Sequence, residues 1–192
     1  MSMADTELEQ LIRLTEAGKA DAREQLFAVL YAELHKIAQR AVRRNSALTL
    51  SPTTLLHETY LNMSGRESAP FADRAHFLAY ASRAMRGLII NYVRNKSAQK
   101  RGGAFEITVL PTDVPENPGS DVELEKIGDA VESLAAVDPR LARLVDLKFF
   151  CGFTFEEIAG VLGTSERTAK RDWDKARILL QQYLEDGQIL GD

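Results

Sequence analysis

The chain contains a single cysteine, Cys151, so it forms no internal disulfide. That thiol follows Phe149 and Phe150, a setting that suits a small buried side chain better than a reactive one. Histidine is scarce as well. His35, His57 and His76 are scattered through the first half without metal-ligand spacing, so no metal site is expected. Long apolar runs are missing. A stretch such as Gly87–Ile90 is far short of the roughly 20 residues that span a bilayer, so no membrane insertion is expected. The first ten residues are acidic and polar, unlike a secretory leader, and the expectation is a cytoplasmic protein. There is no phosphate-cradling glycine loop, no nucleophile elbow and no metal-spaced cluster. Neither enzyme chemistry nor a cofactor is therefore expected. Alternating strand patterns are nearly absent too, with Phe105–Leu110 the one short exception.

What remains is a helical pattern in a chain of 192 residues, 45% hydrophobic and 27% charged. That length fits one large domain or two small ones. The formal net charge of −4 hides an asymmetry. Residues 1–101 hold 15 Lys/Arg and 10 Asp/Glu, whereas residues 102–192 hold 9 and 18. An acidic total argues against strong non-specific DNA affinity, so any nucleic-acid contact must come from local patches.

Apolar spacing predicts a first helix over about residues 5–17, with Leu8, Leu11, Ile12 and Thr15 on one face. Asp21–Glu24 has the form of a capping box and opens a second helix carrying Phe27, Leu30, Leu34, Ile37 and Ala41. Ser51-Pro52 pairs an N-cap with proline at the first helical position, opening a third helix with Leu55, Leu56, Tyr60 and Leu61 on its core face. Thr53, Thr54, His57, Glu58 and Asn62 then lie outward. After a polar loop over 64–73, a long helix is expected at about 74–99, with Phe77, Tyr80, Ala81, Ala84, Leu88 and Val93 along it.

Gly102 and Gly103 stop that helix. Residues 104–122 carry Pro111, Pro115 and Pro118, four acids and no Lys or Arg, and read as a linker. The expected fold is thus all-α: two small helical domains, 5–101 and 123–187, joined by an acidic proline-containing linker, 102–122. In the second domain a helix covers about 123–136, and Asp138-Pro139 opens another that runs to Phe150. Gly152 ends it. Thr154–Glu157 forms a capping box for a short helix over 155–162. Gly163 gives the turn, and Thr164 or Ser165 caps a final helix to about Leu184.

Three segments carry candidate chemistry. The first is Phe155–Leu180, which has the form of a helix–turn–helix. Ala159 is small enough for a close helix crossing. Ala169, Trp173, Ala176 and Leu180 form a buried stripe on the last helix. Trp173 on that stripe suits core packing rather than base stacking. Arg167, Thr168, Lys170, Arg171, Lys175 and Arg177 lie off it, where the start of such a helix meets the DNA major groove. A solvated amphipathic helix, with Glu166, Asp172 and Asp174 balancing charge, is the alternative. The second segment, Arg83–Arg101, holds six Lys/Arg and no acid. Arg83, Arg86, Asn91, Arg94 and Lys96 either meet nucleic acid or form a cationic solubilising face. The third, Ser51–Met63, is an amphipathic helix or a partner-binding face.

The order of these segments resembles extracytoplasmic-function sigma factors across about residues 8–184. Phe153–Arg171 is similar to the family's helix–turn–helix that reads the promoter −35 element, and Asp174–Arg177 matches its closing stretch. Ile90–Arg94 resembles the segment that opens and holds the −10 element, and the loop before it stands where the family captures a flipped base. Leu55–Leu61 resembles the helix that docks on the polymerase's largest catalytic subunit, which implies Leu55, His57, Glu58, Tyr60 and Leu61 as polymerase-binding residues. The resemblance implies RNA polymerase core and promoter DNA as partners, and it leaves the regulator open between an anti-sigma factor and a Ser/Thr kinase, the latter suggested by a departure from the family pattern.

The chain departs from the pattern at one place. The docking helix of this family begins with an acidic cluster, but here the positions read Ser51-Pro52-Thr53-Thr54. Phosphorylation of Thr53 or Thr54 would restore negative charge at a helix N-terminus, where the dipole favours it. Simple capping of the helix is the plain alternative. Two other functions compete with the sigma-factor reading: a stand-alone helix–turn–helix regulator and a helical adaptor without a DNA role.

Overall fold

The computed structural model describes residues 8, 10–14, 20–45, 50–64, 73–100 and 121–189. Every element in these residues is helical. Residues 10–14 are helical, and Leu8, Leu11 and Ile12 are buried. There follow α1 (Ala20–Arg44), α2 (Pro52–Ser64), α3 (Arg74–Lys100), α4 (Asp121–Val137), α5 (Pro139–Val145), a π-helical segment (Asp146–Phe150), α6 (Phe155–Leu162) and α7 (Glu166–Ile189). The strand-like Phe105–Leu110 and most of the expected linker lie outside the described residues. Its last two positions, 121 and 122, belong to α4.

Local chemistry explains most of the helix starts. Ser51 Oγ accepts the Thr54 N–H at 3.0 Å, with Pro52 as the first helical residue of α2. Asp73 accepts the His76 N–H at 2.7 Å and starts α3. The Asp138 carboxylate accepts the N–H groups of Arg140 and Leu141, with Pro139 opening α5. At α6 the capping box is reciprocal: Thr154 Oγ1 accepts from Glu157 N–H at 3.2 Å, and Glu157 Oε2 accepts from Thr154 N–H at 2.8 Å. Each such cap contributes about 1 kcal/mol. The expected cap at Asp21 is different. Helix α1 already begins at Ala20, so Asp21 stands in its first turn, where a carboxylate complements the dipole.

The buried residues form one contiguous hydrophobic cluster that draws on both sides of the 101–120 segment. Helix α3 is its axis. It packs on α1 and α2, and also on α4, the π-segment and α6. Two rows of α3 are therefore buried. One contains Phe77, Ala81, Met85, Ile89 and Val93, and the other contains Ala79, Arg86 and Ile90. Of the row expected from the sequence, Tyr80, Ala84 and Leu88 are only half-buried.

Helix α2 buries Leu55, Leu56, Thr59 and Met63, with the Thr59 hydroxyl donating to the Leu55 carbonyl at 2.7 Å. Leu61, expected on the core face, is instead 49% exposed. It lies six residues beyond Leu55, about 240° around the helix, and Thr59 and Met63 fill the inward positions.

The expected α-helix to Phe150 changes its winding at Asp146, where Cys151 N–H donates to the Asp146 carbonyl at 3.1 Å. Leu147, Phe149, Phe150 and Cys151 are all buried, so tertiary enclosure sets this wider turn. Burial pushes the Cys151 thiol up to about 12, which makes it a packing group.

Candidate nucleic-acid interface

Helices α6 and α7 are joined by a tight turn. Gly163 adopts φ +61°, a left-handed conformation in which a Cβ would approach the following carbonyl. The Gly163 and Thr164 N–H groups both turn back to the Ala159 carbonyl. Ala159 is buried. Of the two candidate caps for α7, Ser165 serves: its Oγ accepts the Thr168 N–H at 3.1 Å. Thr164 instead meets Arg140, which also pairs with Asp172 at 3.2 Å and ties α5 to the start of α7.

Along α7, Ala169, Ala176 and Leu180 are fully buried, and Trp173 packs half-buried against the core. Arg167, Lys170, Arg171 and Lys175 are exposed, whereas Thr168 and Arg177 are half-buried. Lys170 pairs with Glu166 at 2.6 Å, Arg171 with Asp172 at 3.7 Å, and Lys175 with Asp138 at 3.7 Å. Exposed pairs of this kind contribute about 0–1 kcal/mol each.

The basic row of α3 is arranged differently. Arg83 and Asn91 are exposed and Lys96 is half-buried. Arg86 is buried, with its side chain 3% exposed. Its Nε lies 2.6 Å from Asp146 Oδ1, and its Nη1 lies 2.9 Å from Glu132 Oε1. Burial pushes the Asp146 carboxyl up to about 6, against the pull of Arg86. Arg94 is exposed but engaged, by Glu125 at 3.5 Å and by Asp129. In this arrangement Arg86 and Arg94 pair with acids of the C-terminal half.

On α2, Thr53, Thr54, His57, Glu58 and Asn62 are exposed, as the pattern predicts. Leu61 joins them on that outer surface. Tyr60 is half-buried, edge-on to Phe27 with ring centroids 4.8 Å apart. The Leu55 side chain is 1% exposed and belongs to the interior, so an outward contact from this helix falls to His57, Glu58 and Leu61. The Thr54 hydroxyl lies 2.8 Å from Ser51 Oγ.

Sequence reasoning missed the acids that meet α3. Glu125, Asp129 and Glu132 recur at i, i+4 and i+7, one face of α4, and that spacing is readable. It also missed the ion pair between Arg40 and Glu157, in which Arg40 Nη1 donates to both carboxylate oxygens, at 2.9 and 3.0 Å. Partial burial raises the Glu157 carboxyl, but the Thr154 N–H and the Arg40 guanidinium outweigh it and hold the group below its ordinary value. No group of three potential metal-ligating side chains occurs among the described residues. No helix there is long and apolar enough to cross a membrane.

A family model described as ECF sigma factor matches residues 5–186. No curated protein matches the chain. The match spans both helical halves, the basic axis α3 and the α6–α7 pair. The chain therefore belongs to the ECF sigma factor family, whose members are non-enzymatic factors that direct RNA polymerase to promoter DNA in transcription initiation.

Proposed function

We propose that the chain divides this work between two units, residues 5–101 and 123–187, joined by 102–122. The outer face of α2 docks on core polymerase, chiefly through His57, Glu58 and Leu61. Helix α3 meets the −10 element through Arg83, Asn91, Arg94 and Lys96, with Arg86 joining once it is uncovered. Helices α6 and α7 act as a helix–turn–helix on the −35 duplex, with Arg167, Thr168, Lys170, Arg171, Lys175 and Arg177 toward DNA. The acidic linker threads a basic polymerase channel in place of nucleic acid. These events belong to the cytoplasm.

The observation that carries this reading is the start of α7. A capped helix, a left-handed glycine turn and a second capped helix expose Arg167, Lys170 and Arg171 opposite a fully buried Ala169–Ala176–Leu180 stripe. Specificity then comes from a few base contacts plus the fixed spacing of two modules, which suits a chain of net negative charge. The test is run-off transcription with purified core enzyme. Arg167→Ala, Lys170→Ala and Arg171→Ala should each lower output, and each lost phosphate contact should reduce the salt slope by about 1. Unchanged output would favour the helical-adaptor reading. Tight duplex binding without polymerase would favour a stand-alone regulator.

The regulatory part of the proposal is phosphorylation at the start of α2. Thr53 and Thr54 are exposed in the first turn of a helix that has no acid there. A phosphate adds about −1.5 to −2 charges, where the helix dipole favours them. Phosphorylated chain should recover more core polymerase in a pull-down than unmodified chain. Equal recovery removes the kinase switch, leaving an anti-sigma factor as the regulator.

A further inference from the structure

A cavity of about 470 Å³ is lined by α3, the α4–α5 corner and the first residue of the π-segment. At its inner end stand Arg86 and Asp146, whose side chains are each 3% exposed. Arg83, Arg143 and His76 line it as exposed residues. Ala79, Ala142 and the half-buried Tyr80 add an apolar lining. The inner end is short of a partner. Arg86 Nε and Asp146 Oδ1 lie 2.6 Å apart, yet both are buried without a hydrogen bond, because the N–H does not point along the contact. Buried polar atoms in folded proteins are nearly always satisfied, so two such atoms beside one cavity call for a further group there. Cations are also in excess. Arg86 is shared between Asp146 and Glu132. Arg83 and Arg143 make no ion pair or hydrogen bond among the described residues. Arg83 is close enough to favour the ionised Asp146 carboxyl, so it faces the same space.

We propose that this cavity binds a phosphorylated small molecule of nucleotide size. Guanidinium groups recognise phosphate through forked N–H donors and keep their charge across the physiological pH range. The three that line this cavity exceed what the carboxylates of Glu132 and Asp146 neutralise. The volume falls within the range of about 300–1,000 Å³ typical of small-molecule sites and exceeds what a bare phosphate fills. The alanines and the Tyr80 ring suit a flat apolar body such as a nucleobase. Glu132, with its side chain 59% exposed, is available to accept from a sugar hydroxyl or a base N–H. Arg83 and Arg86 are also candidates for the −10 element, so ligand and promoter compete for them, whereas Arg143 serves the ligand alone. Ligand binding does not require α3 to meet DNA.

The test titrates the full chain, without DNA or polymerase, with ADP, GDP, CDP, adenosine and inorganic phosphate by calorimetry. Thermal unfolding followed by Trp173 fluorescence is the second readout. At least one of the nucleotides should bind one-to-one, and at about a hundredfold excess over its Kd it should raise Tm by about 5–10 °C. Inorganic phosphate and adenosine, which each carry only half of the recognised chemistry, should bind at least about tenfold more weakly. Arg83→Gln and Arg143→Gln each remove one exposed cation from the cavity and should weaken nucleotide binding about tenfold or more. Arg43→Gln removes an exposed cation of α1 outside the cavity and should leave binding unchanged. The proposal is overturned by the absence of saturable nucleotide binding, by phosphate or adenosine binding as tightly as the nucleotides, or by equal weakening in Arg43→Gln and Arg143→Gln. Binding is measured apart from run-off transcription, so its failure leaves the promoter reading untouched.

Discussion

Replacing Arg86 by methionine probes the charge that joins the two halves most deeply. Arg86 and Asp146 approach to 2.6 Å with both side chains 3% exposed. Methionine fills much of the same volume, so the main effect is to leave the Asp146 carboxylate buried without its nearest cation. Breaking one side of such a pair costs about 3–5 kcal/mol. The pH dependence follows from Asp146, whose carboxyl stands at about 6 in the folded chain against 3.8 ordinarily. Because the folded value is the higher one, this group's contribution to stability is complete below the ordinary value. It is lost as pH rises through about 6, a change of about 3 kcal/mol. Without Arg86 the folded value rises further and the loss continues at higher pH. The two stability curves should run parallel below about pH 6 and separate above it by up to about 1.4 kcal/mol per pH unit. Urea unfolding followed by Trp173 fluorescence should therefore show a destabilisation up to about 2 kcal/mol larger at about pH 7.5 than at about pH 5.5. Arg86→Met with Asp146→Leu removes both charges and should recover most of the loss. Equal destabilisation at both pH values, or a double variant as unstable as the single one, would refute the reasoning.

Other expectations concern local structure. Beyond its chain neighbours, the new Cβ of Gly163→Ala meets no atom within 4 Å, so its cost is the left-handed backbone alone, about 1–2 kcal/mol, read as a fall in Tm. Thr154→Ala removes the capping box of α6 and should cost about 1 kcal/mol near neutral pH. Since the Glu157 carboxyl is held low, its contribution is present above the ordinary value of 4.5 and is lost as pH falls below it, so the Thr154→Ala effect should shrink in acid. Cys151 should resist a thiol reagent in the native chain and react as one equivalent in denaturant.

The parts of this structure legible in the sequence are those decided by neighbours in the chain. Ser51-Pro52, Asp138-Pro139, Thr154–Glu157 and Gly163 announce their helix ends because capping and left-handed turns are contacts over a few residues. The Ala169–Leu180 stripe was legible for the same reason: one helix face has one period. Helix α3 was harder because it is buried on two sides, so no single row describes it. Arg86 reads as one more cation in a basic run, and its burial depends on Asp146, sixty residues away. Asp146 in turn sits where the helix widens, a change of winding set by the enclosure of Phe149 and Phe150 rather than by composition. Leu61 and Thr59 exchange places because helix rotation outweighs hydrophobicity on a short helix with two apolar flanks. The acids at 125, 129 and 132 were visible as a period, but nothing local told which helix they face.

The most direct measurement is binding of the purified chain to core polymerase, followed through to initiation on promoter DNA. The account predicts a complex that elutes together, starts transcripts at defined sites and keeps its polymerase affinity when Lys170 and Arg171 are replaced by alanine, while those starts are lost. A chain that stays apart from the polymerase, whether phosphorylated at Thr53 and Thr54 or not, contradicts it.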